Sequence, residues 1–133
     1  MAVILVGDNS ASQIYVTKKE KTARAIGFYS EVHRLPPACE EKEILNLIKY
    51  LNESSKIHGI LVQLPLPAHI QTQAVLNAVS PLKDVDGFHP LNLGRLFIGD
   101  PLFVPCTPQG IMELLKEYKI EISGKSAVII GRS

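Results

Sequence analysis

Three short stretches hold residue types at spacings that could do chemistry: YVTKKEK (Tyr15–Lys21), GILVQLPLP (Gly59–Pro67) and KDVDGFHP (Lys83–Pro90). The first places Lys18, Lys19 and Lys21 close behind an apolar segment. Stepping about 100° per residue around a helix sorts them. Ile26, Lys19, Ser12, Ala23 and Val16 share one arc beside Tyr15, with Ala11 and Thr22 at its other margin. Glu20, Gln13, Arg24, Thr17 and Lys21 fill the opposite arc. Lys21 and Arg24 are thus expected in solvent and Lys18 on the flank, while Lys19 falls in the middle of the apolar face. An unpaired buried ammonium is costly. Lys19 therefore either snorkels to the edge of an interface or does chemistry. Tyr15 and Lys19 are four apart and stack on one face. Helical side chains lean toward the helix N-terminus, which carries Lys19 toward the carboxyl edge of a sheet, where ligands of open α/β folds bind. A ring beside a desolvated amine suits a planar substrate and a lysine of lowered pKa.

The second stretch sets Gln63, a polar residue in an apolar run, at the end of a strand. Loop backbone can satisfy it, or its carbonyl oxygen can hold the Lys19 ammonium while its amide group serves a substrate. The third stretch, Asp-x-Asp-Gly followed by Phe, His and Pro, reads first as a turn. It lacks the ligand spacing and closing glutamate of a calcium loop. His33, His58, His69 and His89 show no metal-ligand spacing, so no metal is expected.

The elements that must position these residues alternate. Ala2–Gly7 reads as a buried strand and Ala11–Ile26 as a helix stopped by Gly27. Phe28–Leu35 has weaker strand character. Glu40–Asn52 is a helix with Ile44, Leu45, Leu47, Ile48 and Leu51 on one stripe. Gly59–Leu64 is a buried strand ended by Pro65 and Pro67. Ile70–Val79 is a short helix, and Pro81–Phe103 is mostly loop with a helical turn or two near Asn92–Phe97. Thr107 and Pro108 make an N-cap and first turn for a helix over Pro108–Tyr118, and Ser126–Ile130 closes as a strand. Strands without period-2 alternation, separated by helices, predict an α/β fold with a mostly parallel sheet flanked by helices.

Length and composition agree with such a domain and exclude other classes. The chain has 133 residues, 46% hydrophobic and 20% charged, with a formal net charge of +1. No basic or acidic block points to nucleic acid or to an anionic membrane surface, and no apolar run is long enough to span a bilayer. Cys39 and Cys106 are expected as reduced thiols rather than a disulfide. No Walker P-loop or complete GxGxxG is present. The chain opens directly on a strand and closes on SAVIIGRS, a strand and glycine with no helix behind them. It is expected to be a piece of a longer protein.

Five stretches in order, VGDNSASQIYVTKKEK (6–21), GILVQLPLPAHI (59–70), PLKDVDGFHPLNLGRL (81–96), PCTPQGIMELL (105–115) and GKSAVIIGRS (124–133), closely resemble the bifunctional methylenetetrahydrofolate dehydrogenase/methenyltetrahydrofolate cyclohydrolase family. The resemblance implies a Rossmann-like catalytic domain over residues 1–122, lacking the family's first helix, and the first strand of a dinucleotide-binding domain over 123–133. It assigns Tyr15 to pack on the folate, Lys19 as the key catalytic group, Gln63 as its partner, and Asp86 as the anchor of the pterin. Val62 and Leu64 join the substrate-binding set. Gly131, Arg132 and Ser133 match only the start of a glycine-rich fingerprint for NADP.

The implied chemistry is oxidation of 5,10-methylenetetrahydrofolate to the methenyl cation, with NADP as acceptor. Hydrolysis to 10-formyltetrahydrofolate follows, and Lys19 is the candidate for its proton transfer. Tetrahydrofolate derivatives are the implied ligands, with no nucleic acid or membrane partner. A homodimer when full length, a cytoplasmic or mitochondrial location and a place in purine biosynthesis are implied as well. The competing reading is an inactive folate-binding or interaction fragment.

Overall fold

Strand β1 (Ala2–Val6) is buried at every position, which is why its sequence shows no polar alternation. Ala2, Ile4 and Val6 point to one face of the sheet and Val3 and Leu5 to the other, so both faces must be covered. The computed structural model describes residues 1–131. In it β1 lies between β2 (Glu31–Leu35) and β3 (Ile60–Val62), all parallel, in the order β2-β1-β3. Ala2 is level with Glu31 on one side and Ile60 on the other.

Helix α1 (Ser10–Ala25) connects β1 to β2, and α2 (Glu41–Glu53) carries the chain back across β1 to β3. The two helices cover opposite faces. Val16 of α1 packs on Val3, Leu5 and Leu61. Ile44, Ile48 and Leu51 of α2 pack with Ala2, Ile4, Ile60 and Val62, joined by Val75 of α3 (Thr72–Ala78). The ends of α1 and α2 follow local chemistry. Asn9 Oδ1 accepts a 3.0 Å hydrogen bond from Ser12 N at the start of α1, as an N-cap should. Glu40 N donates to Glu43 Oε2 at 2.8 Å at the start of α2, one arm of a capping box.

The strand, the two principal helices and the parallel sheet expected from the sequence are present, with shorter β2, β3 and α3. Three expectations change. Helix α4 spans Pro90–Phe97 rather than a turn or two from Asn92, because Pro90 sits in its first turn and His89 Nδ1 accepts from Leu91 N at 3.1 Å. Helix α5 covers Cys106–Glu117, so Thr107 lies inside it and Pro105 takes the cap position. The strand expected over Ser126–Ile130 is not formed. A strand exists only against a neighbour, and among the described residues none pairs with this segment, leaving Val128, Ile129 and Ile130 exposed. Cys39 is buried, Cys106 is exposed, and both are free. Among the described residues no helix is long and apolar enough to cross a membrane.

Candidate functional site

Along α1 the residues turned to the sheet are Ser12, Val16 and Ala23, all buried. Lys19 completes that stripe at helical spacing and is half-buried, whereas Lys18, Lys21 and Arg24 are exposed. The three lysines thus separate as the wheel predicts. Ile26 does not follow it, being 66% exposed at the helix end. Tyr15 is 62% exposed, and with Lys19 it borders an open apolar groove of about 510 Å³ that runs past Ala23 and Ile26 to Met1 and Phe28. Met1 and Phe28 precede β1 and β2, so this groove reaches the amino-terminal edge of the sheet.

Gln63 stands at the opposite, carboxyl end of β3. Its N–H donates to Ile4 O at 2.9 Å, extending the ladder by one residue. Its side-chain Nε2 donates to Leu64 O at 2.8 Å, and its Oε1 is buried with no partner. Turning the amide over would set oxygen against a carbonyl, so this orientation is fixed by chemistry. The orphaned oxygen is an acceptor held ready, although no hydrogen bond joins it to Lys19 among the described residues. Val62 buries its side chain in the α2 core, leaving only its main chain for a ligand, and Leu64 is half-buried.

Asp86 rides on a loop that is pinned at several points. Lys83 Nζ donates to the carbonyls of Leu51, Asn52 and Ser54 at 2.9, 2.7 and 2.8 Å, closing the C-terminal end of α2. Its own carbonyl accepts from Ile60 N at 2.7 Å, and Asp84 bridges to Ile60 in parallel fashion. Val85 then presses on Gly59: a Cβ at that glycine would stand 2.5 Å from Val85 Cγ1. Gly87 follows at φ +69, a left-handed conformation that favours glycine. Asp86 is half-buried. Burial pushes its carboxyl above the ordinary range; the positive charge of Lys19 opposes this and the negative charge of Asp84 adds to it.

The structure therefore brings Lys19 and Asp86 within electrostatic reach, sets Tyr15 beside Lys19, and places Gln63 at the end of β3 without a bond to either. The supports Lys83, Asp84, Asn92 and Gly59 were missed in the sequence. A lysine, two aspartates and an asparagine within ten residues were the available signal. Gly131 is exposed, with open space where a Cβ would stand. Arg132 and Ser133 lie outside the described residues. Among the described residues no three His, Cys, Asp or Glu side chains are grouped to hold a metal ion.

A parallel sheet with helices on both faces defines a Rossmann-like α/β domain, and it carries a half-buried lysine on one helix and a desolvated carboxylate near it. The chain belongs to the tetrahydrofolate dehydrogenase/cyclohydrolase family. Residues 1–86 match that family's catalytic domain, and residues 105–133 match its NAD(P)-binding domain. The whole chain is 60% identical to the bifunctional protein FolD of Lactococcus lactis subsp. cremoris and 59% identical to that of Streptococcus pneumoniae serotype 4, covering 47% of each. It spans about half the length of the curated relatives it matches.

Among solved structures, the bifunctional FolD methylenetetrahydrofolate dehydrogenase/cyclohydrolase of Campylobacter jejuni superposes with a TM-score of 0.93 at 53% identity, over 99% of this chain and 47% of that one. The Trypanosoma brucei enzyme, complexed with NADP cofactor and inhibitor, superposes with a TM-score of 0.90 at 40% identity, over 93% of this chain and 42% of that one.

Proposed function

We propose that this chain is the folate-binding half of an enzyme that oxidises 5,10-methylenetetrahydrofolate with NADP and hydrolyses the methenyl product to 10-formyltetrahydrofolate. The observation that carries the reading is Lys19. It is the lysine on the sheet-facing stripe of α1, and its charge reaches Asp86. An ammonium and an ionised carboxylate in one locality give a donor and an acceptor for a heterocycle that presents both. In this reading Asp86 accepts from the N–H edge of the pterin, and Tyr15, exposed beside Lys19, packs on its ring. Lys19 handles the proton when water adds and the ring opens. The free Oε1 of Gln63 is the acceptor toward which the ammonium turns when ligand is bound, and the main chain of Val62 and Leu64 borders the same ligand.

NADP is the electron acceptor of the whole enzyme, and the described residues do not by themselves fit it, so the roles assigned to this chain are binding, orientation and proton transfer. The same proposal includes the folate-binding part over residues 1–122, the start of a nucleotide-binding part at 123, with Gly131, Arg132 and Ser133 in its fingerprint, and a cytoplasmic homodimer that serves purine biosynthesis.

Calorimetric titration with 5-formyltetrahydrofolate tests the reading. The chain should bind this probe, and Tyr15→Ala and Asp86→Ala should each weaken binding by about tenfold or more. Lys21→Ala, on the outer face, should leave it unchanged. Equal affinity in all three variants would overturn the site.

A further inference from the structure

Asn92 is completely buried on α4, and its amide nitrogen donates to two acceptors, Pro81 O at 2.9 Å and Asp84 Oδ2 at 2.8 Å. Both partners need a donor, so the orientation of the amide is unambiguous. Its Oδ1 is buried with no partner. Leucine would fill similar space and spare the orphaned oxygen, but it would strip Pro81 O and the buried Asp84 Oδ2 of a donor. The bond to Asp84 is the one that bears on the loop. Asp84 is also buried, and the same Oδ2 accepts from His89 N at 2.8 Å. Its carboxylate thus holds the start of α4 and is held by it.

The main chain of Asp84 completes the arrangement. Asp84 O accepts from Gly87 N at 3.2 Å, closing a turn with Val85 and Asp86 at its centre. Val85 is fixed against Gly59. Asp86 therefore sits in a turn whose first residue is anchored through its side chain to Asn92 and whose second is anchored by packing. Its own carboxylate is left without a hydrogen bond among the described residues and is partly open.

We propose that Asp84 and Asn92 are positioning residues for Asp86, a buried hydrogen-bonded pair that sets where the ligand-facing carboxylate stands. The inference rests on the reading of Asp86 as the ligand anchor. It goes further by assigning a duty to two residues that need touch no ligand. Asp84 has a second effect, because its charge adds to the proton affinity of Asp86. The charged groups that bear on Asp86 among the described residues are Lys19, from α1, and Asp84, from its own loop.

The two duties separate by substitution. Asn92→Leu removes the bond and leaves Asp84 charged; Asp84→Asn keeps an acceptor oxygen and removes the charge. Binding of 5-formyltetrahydrofolate to the chain is measured from pH 4 to 8, at temperatures well below each variant's own melting point. Asn92→Leu should bind about tenfold more weakly or worse at pH 7. Asp84→Asn should keep most of the affinity, and the loss of binding on acidification should move to lower pH, since Asp86 then ionises more readily. A purely structural role would not move that pH profile.

Parent-like affinity in Asn92→Leu would overturn the inference. Should that variant fail to fold, Asn92→Ala takes its place, and parent-like affinity there would overturn it equally. Asp86→Ala separates the two levels: if it binds normally, the anchor reading itself falls; if it alone loses binding, only the positioning role falls.

Discussion

The two faces of the sheet are built to different standards. Among the described residues thirteen buried ones form the cluster under α2 and α3, whereas four, with Val16 as the contribution of α1, form the cluster on the other face. On α2 every sheet-facing side chain is a large aliphatic. On α1 the equivalent stripe runs Ser12, Val16, Lys19, Ala23, small or polar except for one valine. Burial at about 25 cal/mol per Å² of apolar surface makes the first face the main source of stability. The second face carries a half-buried ammonium whose charge reaches a desolvated carboxylate, and an open groove runs from Lys19 toward Met1 and Phe28. A closely packed face holds the sheet still, and the loosely packed face is the one on which the proposed ligand site lies.

The sharpest way to break this contrast is Lys19→Met in a protein carrying the family's full length. Methionine keeps an unbranched chain of similar volume and removes the ammonium and its proton. Cyclohydrolase activity should fall by about 10²–10⁴-fold, the range of a general acid or base. Dehydrogenase activity should fall less, because hydride loss needs no proton acceptor. Melting temperature should hardly move, since a half-buried cation with no direct ion pair among the described residues supplies little net stability. Parallel assays of Lys18→Met and Lys21→Met are the control. Equal losses in all three would mean that α1 supplies only general positive charge.

The opposite substitution belongs on the other face. Ile48 is fully buried between α2 and the sheet, and Ile48→Ala should destabilise the chain by about 2–5 kcal/mol through lost burial and the cavity left behind. Denaturant titration measures it. Affinity for 5-formyltetrahydrofolate, determined where the variant is still folded, should stay near that of the parent. A tenfold loss of binding with the fold intact would show that the two faces are coupled through β1 and that the division of labour is false.

Much of this was legible in the sequence because it depends on local pattern. The aliphatic stripe of α2, the uninterrupted apolar run of β1 and the angular position of Lys19 on α1 all follow from periodicity. The strand expected over Ser126–Ile130 failed for the complementary reason: its composition suits a strand, but pairing depends on a neighbour that composition does not supply. The frame around Asp86 was equally hidden. Lys83 reaches carbonyls about thirty residues away, at 2.7–2.9 Å, and Gly59 is needed because Val85 arrives from a distant loop. Long-range hydrogen bonds and close approaches leave no period to read. Gln63 falls between these cases. Its place at a strand end was readable, whereas the bond from its Nε2 to Leu64 O depends on how the following loop turns.

The smallest expected effect is also the most specific, because it has opposite signs in two assays. Burial raises the proton affinity of Asp86 in the folded chain, with Lys19 opposing and Asp84 adding. A folded-state value above the unfolded one means that the native chain holds this proton more tightly. The associated stabilisation is complete below the ordinary aspartate range, near pH 3.9, and is lost as pH rises through the raised value. At neutral pH the folded chain therefore carries a desolvated charge that Asp86→Asn removes at nearly constant shape. The variant should melt higher than the parent at pH 7, on the order of 1–2 °C, with the difference vanishing near pH 3. Binding of 5-formyltetrahydrofolate should move the other way, because asparagine is the weaker acceptor for a pterin N–H edge. Thermal melts at several pH values beside calorimetric titrations give both readings on one preparation. A lower melting point at pH 7 would mean that the carboxylate stabilises the fold, and the contrast between a face built for stability and a face built for ligand would fail at the residue where it is most exposed to test.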